Sequence, residues 1–177
     1  EPALKSFQQS LSQARALSKA DPSNNDYLFE LGQAKFWVGY VAWERGDLKL
    51  AEPYFQNYME YSRELLAREP DNSDYSMELS YAYSNLGSLA RASGNSRAAL
   101  DNFILSADIN AVELKKNPDD VDLIYSYAEG LSWIGSTKAD LGDLSGSEQA
   151  FGQISTLLQP IYDKEENARV TFTLASN

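Results

Sequence analysis

The sequence contains no cysteine and no histidine. Without them the chain cannot form a disulfide, a thiolate nucleophile, a histidine general base or a Cys/His zinc site. It also lacks the Gly-rich phosphate loop and the Gly-x-Ser-x-Gly elbow of common nucleotide-binding and hydrolytic enzymes. Tyrosine, lysine and carboxylates remain as candidate catalysts, but no motif arranges them. We therefore predict a protein that is not an enzyme and that uses no cofactor and no metal ion.

Positive charge is scarce, because 15 Lys and Arg residues face 26 Asp and Glu residues, for a net charge of −11. Affinity for nucleic acid depends on cations that displace counterions from phosphates, so nucleic acid is not an expected partner. Long-range attraction favours a basic peptide or a basic protein surface instead. An acidic surface that serves only solubility is the alternative.

Long apolar runs are absent as well. The longest uncharged apolar stretch, Phe36 to Trp43, is eight residues, whereas a membrane-spanning helix needs roughly 20. With 43% apolar residues, the chain is nevertheless expected to fold around a packed core as a soluble domain. It begins at Glu1 without methionine or a secretory leader. We expect an excised or processed piece of a larger protein, in a compartment that the sequence leaves open.

An internal repeat organises the chain. A shift of 48 residues aligns prolines, two sets of glycines and one aromatic position: Pro22, Pro70, Pro118; Gly39, Gly87, Gly135; Gly46, Gly94, Gly142; Phe7, Phe55, Phe103, Phe151. Punctuating residues that recur at a fixed interval are typical of repeat proteins.

Each repeat is predicted to contain two helices, A and B. Helix A shows helical spacing of apolar residues, as at Leu31, Ala34 and Val38. The predicted N-caps of helix A are Asn24, Asn72 and Asp120, and those of helix B are Asp47, Asn95 and Asp143. The second aligned set of glycines, Gly46, Gly94 and Gly142, is predicted to end helix A, because glycine tolerates the left-handed conformation there. The predicted segments are 1–21 (helix B of a partial repeat), 22–69, 70–117 and 118–165 (repeats 1 to 3), and 166–177 (the start of a partial repeat, or a tail).

The spacing of Val38-Gly39, Gly46-Asp47, Ala51 and Phe55 resembles the core signature of the tetratricopeptide repeat (TPR) family. Repeats 2 and 3 carry the same pattern. The resemblance implies an all-α fold, a right-handed superhelical α-solenoid of antiparallel helix pairs with about seven helices. A repeat of 48 residues rather than about 34 is similar to the long TPR-like repeats of bacterial multidomain signalling proteins.

The resemblance also implies a concave binding groove lined by helix A. The groove-facing positions carried over are Gln33, Phe36, Tyr40, Trp43; Tyr81, Ser84, Ser88, Arg91; and Glu129, Ser132, Ser136. Within a repeat they follow the spacing i, i+3, i+7, i+10, which places them on one helix face. We predict that Phe36, Tyr40 and Trp43 anchor a partner segment, while Arg91 and Glu129 orient it. Alternatively, the three rings pack against helix 3–20 or against a helix upstream.

Two further features have structural interpretations. Trp37 and Trp133 occupy equivalent positions and are predicted to pack against the neighbouring helix B. The polar cluster Asp140, Asp143, Ser145, Ser147 and Glu148 lacks the ligand spacing of a calcium loop. We predict an inter-helix turn with a capping Asp.

The leading functional hypothesis is a non-catalytic protein-protein interaction scaffold. One alternative is a ligand-sensing, regulatory domain of a larger, membrane-anchored bacterial signalling protein. A third is a self-associating structural module, because the ends of a solenoid expose apolar faces and so allow homo-oligomers.

Overall fold

The computed structural model describes the backbone of residues 2–175 and the side chains of residues 4–164. Within this range the chain forms helices and no strands. The helices are α1 (Pro2–Ala20), α2 (Asn25–Glu44), α3 (Leu48–Arg68), α4 (Ser73–Ala92), α5 (Ser96–Lys116), α6 (Val121–Asp140) and α7 (Leu144–Ala175). None of them is long and apolar enough to cross a lipid bilayer. The prediction of an all-α fold is confirmed.

Consecutive helices provide the main packing contacts, from α1 with α2 through to α6 with α7. The turns between them contain only three or four residues, so each helix runs back antiparallel to the one before it. A fold in which each element packs on its chain neighbours is a solenoid. Helices α2, α4 and α6 are the predicted A helices, and α3, α5 and α7 are the predicted B helices.

The helix ends follow the predicted local chemistry. Asn24 accepts a hydrogen bond from the Tyr27 backbone N–H at 3.1 Å, and Asn95 accepts one from Ala98 at 3.2 Å. The other predicted caps accept bonds in the same way: Asp47, Asn72, Asp120 and Asp143. The glycines that end each helix A have positive φ angles, with 76° at Gly46, 79° at Gly94 and 82° at Gly142. The predicted caps and stops are confirmed.

The first aligned set of glycines, Gly39, Gly87 and Gly135, allows helices A and B to approach closely. A Cβ atom built on Gly87 would lie 2.7 Å from ring atoms of Phe103, which is itself almost fully buried. Gly39 and Gly135 meet Phe55 and Phe151 in the same way. The glycine and the aromatic that recur every 48 residues therefore form a contact between the two helices of one repeat.

Helix α7 differs from the prediction. The sequence predicts that repeat 3 ends at residue 165, but α7 continues without a break to Ala175. The physical reason is that residues 166–177 contain neither the proline nor the glycine that ends the earlier helices. Side chains from residue 165 onwards lie outside the described residues, so whether 166–177 is the start of a partial repeat or a tail stays a prediction.

Candidate partner-binding surface

Polar and aromatic contacts join the A helices side by side. The Gln33 amide on α2 donates a hydrogen bond of 2.6 Å to Glu78 on α4. Arg91 on α4 forms a salt bridge of 2.8 Å with Asp140 on α6. We call the surface formed by α2, α4 and α6 the A-helix face. It is the surface that carries the predicted binding positions.

The predicted anchors Phe36, Tyr40 and Trp43 are only half exposed. All three pack against a buried cluster made of residues from α2, α3 and α4: Ala42, Ala51, Phe55 and Leu89. The Phe36 ring centroid lies 6.1 Å from that of Phe55 and 5.3 Å from that of Tyr58. These rings therefore contribute to the packing between repeats 1 and 2, and a partner could contact only their outer edges.

The two predicted tryptophan contacts are confirmed. Trp37 stacks on Phe7 of α1, with ring centroids 5.4 Å apart and an angle of 7° between the planes. Trp133 stacks on Phe103 of α5 at 5.4 Å and 11°. Each tryptophan lies on helix A and packs against the preceding helix B. Trp37 still exposes 42% of its surface, so the stack leaves one edge of the ring in solvent.

The predicted positions on α4 and α6 differ in exposure. Tyr81 is 49% exposed, and Glu129 is exposed as well. The four serines are half buried: Ser84, Ser88, Ser132 and Ser136. Arg91 is held by Asp140, and its guanidinium lies 5.8 Å from the ring centroid of Trp133. Tyr81 and Glu129 are therefore the predicted positions most accessible to a partner.

A groove of about 500 Å³ lies between α2 and α4. We call it the acidic groove, and its lining residues are Asp26, Phe29, Asp74, Tyr75, Met77, Glu78 and Tyr81. Only Tyr81 belongs to the predicted set. Among the others, the 48-residue shift aligns Asp26 with Asp74, but acidic residues in the first turn of a helix are ordinarily explained by the helix dipole.

Glu78 lines the acidic groove and is held in place by two hydrogen bonds. The Tyr58 hydroxyl donates a hydrogen bond to the same Glu78 oxygen that accepts from Gln33. Burial raises the pKa of Tyr58, and the neighbouring Glu78 carboxylate raises it further. The phenol therefore stays protonated and donates, which fixes the position of the Glu78 carboxylate.

The acidic residues around the groove affect the pKa of Tyr75. Burial raises its pKa, and the carboxylates of Glu69, Asp26 and Asp74 raise it further, in that order. A neighbouring anion disfavours a second anion, so these shifts indicate a negative potential around the Tyr75 hydroxyl.

The predicted turn between α6 and α7 is confirmed. Asp143 accepts a hydrogen bond of 2.9 Å from the Gly146 backbone N–H and so caps α7. Its carboxylate also lies 3.8 Å from the Lys138 ammonium. The acidic residues Asp140 and Asp143 of this cluster thus have structural partners within the protein.

No family model and no curated protein matches the chain. Among solved structures, the chain is similar to BtubC (BKLC) from P. vanneervenii, with a TM-score of 0.65 and 20% sequence identity over 90% of this chain. The fold is an α-solenoid. This solenoid spans 57% of the length of BtubC. A second structure, TTC0263, described as a thermophilic TPR protein in Thermus thermophilus, gives a TM-score of 0.36 at 18% identity, over 98% of this chain and 92% of its own.

Proposed function

We propose that the chain is a non-catalytic interaction scaffold that binds a segment of a protein partner along the A-helix face. In this proposal the A-helix face is the binding groove of the solenoid. The observation that carries this proposal is the acidic groove, which opens between α2 and α4 and includes the half-exposed ring of Tyr81. Large, accessible aromatic surface in a groove is typical of recognition sites. The resemblance of the repeat to TPR proteins supports the same interpretation.

The proposed contact residues have different roles. Tyr81 and Glu129 are exposed enough to contact the partner directly. Phe36, Tyr40 and Trp43 would offer ring edges, since their inner surfaces pack in the protein core. The remaining proposed positions line the path of the segment: Gln33, Ser84, Ser88, Arg91, Ser132 and Ser136. Because serine side chains are small, they leave room for the backbone of the partner.

The proposal is tested by selecting peptides from a random display library on the folded chain and measuring their affinity for a Tyr81→Ala variant. We expect the variant to bind the selected peptides about tenfold more weakly, as for an aromatic hot spot. Tyr81 is a better choice than Phe36, because Phe36 stacks on Phe55 and Tyr58 and its removal would disturb the core.

The matched control is Tyr162→Ala, which removes a ring that is 61% exposed on α7. Circular dichroism would establish that both variants remain folded. If no peptide is selected, or if the selected peptides bind Tyr81→Ala as well as the unmodified chain, the proposed function is wrong.

A further inference from the structure

We propose that the acidic groove holds a lysine or arginine side chain of the partner, against the rings of Phe29 and Tyr75 and beside the carboxylates of Asp26 and Asp74. This inference rests on the proposed function, since it names the chemistry of the segment that the A-helix face binds. The expected partner is therefore a cationic segment of another protein.

The lining of the acidic groove has one sign of charge. It contains Asp26, Asp74 and Glu78 and no basic residue. Its volume of about 500 Å³ leaves room for an arginine or lysine side chain together with part of the backbone that carries it. A groove of this composition repels acidic segments and attracts basic ones.

The two aromatic rings suit a cation. The centroids of Phe29 and Tyr75 are 6.3 Å apart, and their planes are tilted by 34°. A guanidinium or ammonium group gains energy when it lies over an aromatic face within about 6 Å of the centroid. Met77 and the exposed ring of Tyr81 also line the groove, so they offer apolar surface to the alkyl stem of the same side chain.

The charges of Asp26 and Asp74 are not neutralised by an ion pair. Both residues are exposed, and the salt bridges in the described part of the chain involve neither of them. The raised pKa of Tyr75, for which burial is the largest cause, also reflects the carboxylates of Asp26 and Asp74. Glu78, by contrast, is fixed by Gln33 and Tyr58 and contributes charge from the wall.

Helix-dipole stabilisation accounts for an acidic residue in the first turn of each A helix. It does not account for the aromatic rings that line the same groove. In repeat 3 the aligned Asp122 is exposed, and Tyr125, at the position of Phe29 in repeat 1, is 48% exposed. A segment with several spaced cations therefore fits the A-helix face better than one with a single cation.

The test uses two acetylated ten-residue peptides, one alternating arginine with serine and one with glutamine in place of every arginine. Their binding is measured by calorimetry on the whole chain and on an Asp26→Asn, Asp74→Asn variant. The control variant, Asp101→Asn with Asp108→Asn, makes the same change of net charge at exposed positions of α5. A Tyr75→Leu variant tests separately whether the Tyr75 ring contributes to the affinity for the arginine peptide.

We expect the arginine peptide to bind and the glutamine peptide not to bind. The Asp26→Asn, Asp74→Asn variant should bind the arginine peptide about tenfold more weakly than the unmodified chain. The control variant should change the affinity by less than about threefold, because distant exposed charges are screened. Tyr75→Leu should weaken binding by about threefold or more through loss of the cation–aromatic contact.

Equal weakening by both double variants would show that the peptide responds only to net charge, and the inference would be overturned. Absence of arginine-peptide binding would overturn it as well. Neither result would decide the proposed function, which fails only if the peptide selection on the A-helix face fails. If the selected peptides require Tyr81 but carry no arginine or lysine, the proposed function is supported and the inference of a bound cation is overturned.

Discussion

Glu113 is the one charged side chain that is buried among the residues that the structure describes, with 2% exposure. It accepts hydrogen bonds from the Ser73 hydroxyl at 2.9 Å and from the Lys116 ammonium at 2.8 Å. Burial acts to raise its pKa, but hydrogen bonds from Lys116, Ser73 and Ser76 outweigh burial and hold the pKa below its ordinary value. The ionised carboxylate therefore links α5 to the start of α4.

Glu113→Gln is expected to destabilise the protein by about 1–2 kcal/mol near neutral pH, because charge-assisted hydrogen bonds are replaced by weaker ones. The folded-state pKa of Glu113 is lowered, so its contribution is present above the unfolded carboxyl pKa of about 4.3 and is lost as pH falls through the folded value. The stability difference between the two proteins should therefore shrink below about pH 4.

Chemical denaturation at several pH values measures this difference. The control is Glu148→Gln, at an exposed position of α7, which should leave the free energy of unfolding almost unchanged. A difference for Glu113→Gln that stays constant from neutral to acidic pH would contradict the assignment of an ionised, hydrogen-bonded carboxylate.

At the scale of helices, the repeating glycine sets the distance between helix A and helix B. In repeat 2, Gly87 on α4 faces Phe103 on α5 so closely that a side chain of any size would contact the ring. The recurrence of both residue types every 48 positions is visible in the sequence. Their contact is not, because sequence periodicity does not state which faces of two helices meet.

Gly87→Ala is expected to destabilise the protein by about 1–3 kcal/mol, since the added methyl would lie 2.7 Å from Phe103 ring atoms. The matched control is Gly152→Ala in α7, where nothing lies within 4 Å of the added Cβ. Because alanine favours helix over glycine, this control should stabilise the protein by up to about 1 kcal/mol. Thermal unfolding followed by circular dichroism compares the two, and destabilisation of similar size in both would contradict the packing argument.

At the scale of the whole molecule, stability comes from contacts between successive helices. The inner helices α4 and α5 pack against helices on both sides, whereas α1 and α7 have one main neighbour each, α2 and α6. The aromatic position common to the B helices shows the consequence. Phe55 and Phe103 are 1% exposed, but Phe151 on α7 is 42% exposed.

Native-state hydrogen exchange should therefore show a gradient. We expect the backbone amides of α4 and α5 to exchange slowest and those of α1 and of residues 144–164 to exchange fastest, because in a solenoid each unit is stabilised mainly by its neighbours. Equal protection along the whole chain would indicate one cooperative unit and would contradict this view of the fold.

The fold class and nearly all helix boundaries of this protein could be predicted from the sequence. Those features depend on local chemistry: side-chain oxygens at N-caps such as Asn95, and glycine at positive φ as at Gly94. The end of α7 was the exception, since residues 166–177 carry no such local signal.

Which side of each A helix is covered could not be predicted from the sequence, because it depends on how successive helices pack. Phe36, Tyr40 and Trp43 share one helix face in the sequence pattern, but the packing of α3 and α4 covers much of that face. Phe29 and Tyr75 come together from helices one repeat apart, and so do the two acids beside them. Helical periodicity defines the faces of one helix, whereas the stacking of successive repeats determines which face remains open.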